Sequence, residues 1–226
     1  MTCGTRDLPE GGRYGVSVVT SSRARTGTRV LAAAAVALLG GALLAGCDAD
    51  PRTAATAGDA TLTVDRLDAA TAAYCDYVAE VGVEAVPRAI VRTGLTELWL
   101  YDAALTEAAG PDALDPPPAA DEIAREMQAA GADADIASFT VRLLTVSNAL
   151  SDPTVGQVAS SNLADLDVTV NPAVGSYADG AVATGGDGVS VAASDTALGA
   201  TFSIDDPPTP EEVAALPAAQ RCGSAG

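Results

Sequence analysis

Apolar side chains recur every three to four residues in four stretches of the chain, the spacing of amphipathic helices. Asp65 is placed to cap the first. Leu67, Ala70, Tyr74, Tyr77, Val78 and Val81 form its stripe, and Gly82 stops it. The second runs from Pro87, a first-turn position that tolerates proline, to Ala109, just before Gly110-Pro111. Its apolar arc takes in Ile90, Val91, Leu95, Leu98, Tyr101, Leu105 and Ala108. Two residues break this arc. Asp102 projects within it, and Leu100 projects on the polar side. The expectation for Asp102 is a helix-edge carboxylate that pairs with an arginine or reaches solvent. Pro116-Pro117-Pro118 stiffens the next linker. A short helix then spans Asp121 to Ala130 with Ile123 and Met127 inward, and a fourth runs from Asp135 to about Leu150 on Ile136, Phe139, Leu143, Val146 and Leu150.

Alternation replaces helical spacing elsewhere. Ala60-Thr61-Leu62-Thr63-Val64, after the Gly58-Asp59 turn signal, predicts a short strand, as does Leu166 to Val170 before Asn171-Pro172. From Asp152 to Phe202 glycine, serine and valine dominate, and no helical period is visible. Residues 151–208 are therefore expected to be irregular or β, with Ala181 to Val191 either a loose hairpin or disordered. Thr209-Pro210-Glu211-Glu212 has the cap, first-turn proline and acids of a helix start, and that last helix ends near Pro217. The expected class is mainly α with a small β portion.

The first fifty residues carry a different pattern. Arg23, Arg25 and Arg29 precede an apolar or small run from Val30 to Gly46, too short and too rich in Ala and Gly for a spanning helix. The run ends in Leu43-Leu44-Ala45-Gly46-Cys47, which resembles the lipobox of bacterial lipoproteins. The resemblance implies that Leu44, Ala45 and Gly46 present the site to a signal peptidase. Cys47 would take a diacylglycerol thioether and become the new N-terminus. Residues 1–46 are then expected to be a signal peptide, 47–57 a spacer, and 58–226 the folded domain. The stretch before Arg23 is long for a leader, so translation is expected to begin downstream of Met1. The implied location is the extracytoplasmic face of the cell membrane, held by lipid.

Composition narrows the chemistry. The 226 residues contain no histidine and no lysine, since all twelve basic residues are arginine. Nucleophiles paired with His, imidazole metal ligands, Schiff bases and the P-loop lysine are thereby excluded. From Cys47 onward 28 acids face seven arginines, a net charge of −21 that disfavours nucleic acid. Paired carboxylates remain for a hydrolase, at Asp205-Asp206, Asp133 with Asp135, and Asp121-Glu122. Adjacent acids at helix starts usually face solvent, so neither catalytic residues nor a metal or cofactor are expected.

Cys75 lies beside the first helix's stripe and Cys222 near the C-terminus, both on the side of the membrane where disulfides persist. A bridge between them is the expected staple for a domain poor in aromatics. Two buried thiols or a redox pair are the alternatives, and there is no CxxC spacing to favour the latter.

The order of elements resembles the SurA N-terminal domain family of extracytoplasmic chaperones. The likeness is carried by Gly58-Asp59 to Leu67-Asp68, by Ala89-Ile90-Val91-Arg92 to Leu105, and by Pro111 to Glu126. Val168-Thr169-Val170-Asn171-Pro172-Ala173-Val174-Gly175 is similar to a "V-x-V-N-P-R-Y-G" piece of actinobacterial lipoproteins of this type, with Ala173 and Val174 in place of Arg and Tyr. Leu216-Pro217 to Arg221-Cys222-Gly223 is similar to their ending. The resemblance implies a helical domain whose N- and C-terminal segments pack together. It also implies ATP-independent holding of unfolded or exported polypeptides, without a prolyl-isomerase domain. Leu95, Leu98, Trp99 and Tyr101 are the expected client groove, with Leu100 as surplus apolar surface. A small-ligand receptor or a dedicated accessory of an envelope complex is the alternative.

Overall fold

The structure, a computed structural model, describes residues 50–183 and 208–224. Its N-terminal strand β1 (Thr53–Ala57) turns through Gly58-Asp59 into β2 (Ala60–Thr63). Helix α1 (Val64–Glu80) follows, and Thr63 Oγ1 accepts from the Arg66 N–H as its cap. A connection carrying β3 (Val86–Pro87) leads to the 22-residue α2 (Arg88–Ala109). Then come α3 (Ala120–Ala129), α4 (Ala134–Ala149) and α5 (Pro153–Asp165). Short strands β4 (Val168–Val170), β5 (Ser176–Ala178) and β6 (Ala181–Ala183) follow. The C-terminal segment holds α6 (Pro210–Ala215), a 3-10 turn at Ala218–Gln220, and β7 (Arg221–Cys222). The chain is mainly α with a small β portion.

Helix α2 is the hub. It packs on α1, α4 and α5, and on β1 and β6. The main core gathers Ala54, Ala55 and Ala57 from β1, Leu62, Leu67, Leu95, Trp99, Leu100, Ala104, Leu143 and Leu163. A helix enclosed on several sides is apolar on more than one face, and this reverses the expectation for Leu100, which is fully buried. Ala108, placed on the arc by spacing, is exposed. Asp102 pairs with an arginine: its Oδ1 accepts from Arg142 Nε at 2.7 Å, tying α2 to α4.

Two further expectations are corrected. Residues 47–57 are not a spacer throughout, because Thr53–Ala57 is the central strand of a sheet ordered β2-β1-β4. Alanine has low strand propensity, but only small side chains fit where β1 lies against α2, and three of its residues are at most 2% exposed. Residues 151–208 are likewise not only irregular or β, because Pro153–Asp165 is helical. Asp152 caps α5 by accepting from the Thr154 N–H, with Pro153 in the first turn. The helix buries only Ala159 and Leu163, too few to leave a readable period. Of the Gly-rich tract, Ala181–Ala183 pairs with Ser176–Ala178 across an Asp179-Gly180 turn with both φ positive, the usual signal of a two-residue hairpin. Residues 184–191 lie outside the described residues.

Asn171 fastens the sheet to the hub. Its Nδ2 donates to the Thr53 carbonyl at 2.8 Å, and its Oδ1 accepts from the Ala173 N–H at 2.9 Å. Arg92 on α2 donates to the Ala173 carbonyl and pairs with Asp68 on α1. Four residues after Asn171, a Cβ on Gly175 would lie 2.6 Å from the Ala183 carbonyl oxygen, so the site excludes any side chain. The Val-x-Val-Asn-Pro-x-x-Gly stretch is thus a structural clasp.

Candidate functional site

Among the described residues the large exposed hydrophobics are Val81, Val83, Val86 and Val158. Three of these four lie on the α1–α2 connection. Helix α1 ends where the Val81 N–H bonds back to Tyr77, and the Val83 N–H then closes on the Val78 carbonyl at 2.9 Å. The main chain is therefore satisfied while the valines project outward. The same connection forms one wall of an apolar cleft of about 280 Å³, through Ala85, Val86 and Pro87. Ile90 of α2 and Pro208, Pro210 and Val213 of the C-terminal segment complete its lining. Glu84 is the one ionised side chain that lines it.

The C-terminal wall is built locally and fixed at one end. Thr209 Oγ1 accepts from the Glu212 N–H, while a Glu212 carboxylate oxygen accepts from the Thr209 N–H at 2.8 Å, a reciprocal capping box. Those bonds, first the backbone one and then the side-chain one, hold the Glu212 carboxyl below the ordinary glutamate range. Beyond α6 the chain turns back, and β7 pairs antiparallel with β3, Val86 opposite Cys222 and Pro87 opposite Arg221. Cys222 and Cys75 form a disulfide, with their Cα atoms 4.5 Å apart. Gly223 follows with φ +104°, and a Cβ there would meet the Val83 carbonyl oxygen at 2.8 Å. Ser224 donates to that carbonyl from both N–H and Oγ, at 3.0 Å each. The bridge that spacing alone left open is therefore made, and it seats the end of the segment on α1.

The expected client groove is overturned. Leu95 and Trp99 are 4% and 7% exposed and belong to the main core. Leu98 and Tyr101 are half-buried and pack against that core and against a cluster around Val146. The arc on α2 packs within the domain, where that helix meets α1, α4 and α5. The valines of the α1–α2 connection went unread because Val81 continues the α1 stripe by spacing. The signal present was the alternation in Val81-Gly82-Val83 and the further valine just before Pro87.

Of the paired carboxylates, Asp121, Glu122, Asp133 and Asp135 are exposed at the starts of α3 and α4, while Asp205-Asp206 lies outside the described residues. Among the described residues no group of three or more Cys, Asp or Glu side chains is placed to hold a metal ion. None of the described helices is long and apolar enough to cross a membrane. Leu44, Ala45, Gly46 and Cys47 lie outside the described residues. Comparison with known proteins finds no matching family model, no similar curated protein and no similar solved structure.

Proposed function

We propose that this chain is a lipid-anchored extracytoplasmic lipoprotein whose domain holds exported, non-native polypeptides in a SurA-like manner, without ATP and without prolyl isomerisation. The observation that carries the polypeptide-holding part is the row Val81, Val83 and Val86, exposed to 52%, 45% and 37%, on the connection that walls an apolar cleft. Apolar surface left in water on one contiguous stretch marks a partner site. Its occupant is an extended apolar segment flanked by Lys or Arg. Glu84 is the ionised side chain in the cleft, and a net charge of −21 from Cys47 onward repels acidic partners. Anchoring is supported by Leu44-Ala45-Gly46-Cys47 behind an apolar run. The Cys75–Cys222 bridge suits an oxidising compartment.

The test measures light scattering of an aggregating client with and without the purified chain. The expected outcome is suppression that weakens with added salt and is lost in a Val83→Asp/Val86→Asp variant of unchanged melting temperature. Equal aggregation with and without the protein overturns the reading. Recovery of a single stoichiometric partner by membrane crosslinking replaces it with a dedicated accessory subunit.

A further inference from the structure

The C-terminal segment Pro208–Ser224 is attached unlike any other part of the domain. The main core contains none of its residues, nor do the clusters around Met127 and Val146. The segment enters a core cluster only through Cys222, which packs with Cys75 and Val78 against Tyr74, Tyr77 and Val91. Its main-chain hold is the two-residue β3–β7 ladder, a single bridge between Glu84 and Ser224, and the Ser224 N–H on the Val83 carbonyl, which Ser224 Oγ also reaches. Val213 and Leu216 are buried too, but neither belongs to a core cluster, and Val213 lines the cleft with Val86 and Pro87. So short a ladder has little to set against the conformational freedom of the segment it orders. The disulfide, between residues 147 apart in sequence, removes that freedom from the competing open state.

We propose that Cys75–Cys222 is a redox latch. Closed, it holds Pro208–Ser224 as one wall of the apolar cleft. Reduced, it lets that wall leave while the helical core stays folded, which uncovers Val78, Ile90 and Val91. The balance is that of thiol–disulfide exchange: a dithiol carrier gives two electrons and two protons, becoming a disulfide as both cysteines become thiols. Oxidation by a disulfide carrier runs the same exchange in reverse. Cys222 is 1% exposed and Cys75 6%, so exchange proceeds through fraying of the terminal strand. The latch itself stands apart from the polypeptide-holding reading, whereas its control of client access rests on it.

Hydrogen exchange read by mass spectrometry tests the latch, on the full chain when oxidised, when reduced with dithiothreitol, and as a Cys75→Ala/Cys222→Ala variant. On opening, amides of 208–224 are expected to exchange on the order of a hundredfold faster, while α2 and α4 keep their protection. Unchanged protection of 208–224 in reduced, doubly alkylated protein overturns the proposal. So does a bridge that dithiothreitol fails to reduce in native buffer. Loss of protection across α2 and α4 as well, or a double variant that does not fold, overturns it in favour of a global staple. Client-aggregation assays on the same samples separate the two ideas: a latch that opens on reduction with no client held in either state removes the functional reading alone.

Discussion

Leu100 is fully buried where α2 meets β1, α1 and α5, in a core short of aromatic rings. Leu100→Ala is expected to lower unfolding free energy by about 3 kcal/mol, transfer and cavity contributions together, as read by urea denaturation. An effect within experimental error would place that side chain on the surface. The Asp102–Arg142 and Asp68–Arg92 ion pairs differ for a related reason. Asp102 and Arg142 are 18% and 25% exposed, whereas Asp68 beside Arg92 is 53% exposed, so solvent screens the second far more. Side-chain chemistry made the Asp102 pairing legible in the sequence. Leu100 was misplaced because helical spacing assumes one buried face, and a helix enclosed on several sides has more than one.

Among the elements, α6 owes its start to a titratable group. The Glu212 carboxyl lies below its ordinary range because its charged form accepts from Thr209. It therefore contributes stability above the unfolded glutamate value, and that contribution is lost as pH falls through the lowered one. The protection of amides in Pro210–Ala215, relative to their intrinsic exchange rate at each pH, is expected to fall on acidification in the native chain and to stay flat in Glu212→Gln. The same acid response in both proteins would remove the capping box as its cause. This helix start was written locally in Thr209-Pro210-Glu211-Glu212, as were the ends of α1 and α2 in Gly82 and Gly110. Strand β1 and helix α5 were not. An alanine-rich strand gains its place from α2 and from pairing with Val168–Val170, the latter more than a hundred residues away, and no local window contains either. Helix α5 buries two residues, and so small a face leaves no period to detect.

Over the whole molecule, the helical class could be read from periodicity because it repeats. The cleft could not, because it joins the α1–α2 connection to a segment some 120 residues further on, at Pro208, Pro210 and Val213. The proposed anchoring has its own measurement. Native protein is expected to partition into the detergent phase of Triton X-114 and Cys47→Ser into the aqueous phase, since acyl chains account for the difference. Aqueous partition of both would leave the thiol unmodified. Strand β1 sets the geometry of such an attachment. Thr53 is already bonded to Asp50 and enters the sheet six residues after Cys47. A leash that short reaches at most about 20 Å when fully extended. A domain so tethered would stay within that distance of the bilayer. It would meet polypeptides as they leave the bilayer, with its acidic surface two to three Debye lengths from anionic headgroups and so largely screened from them.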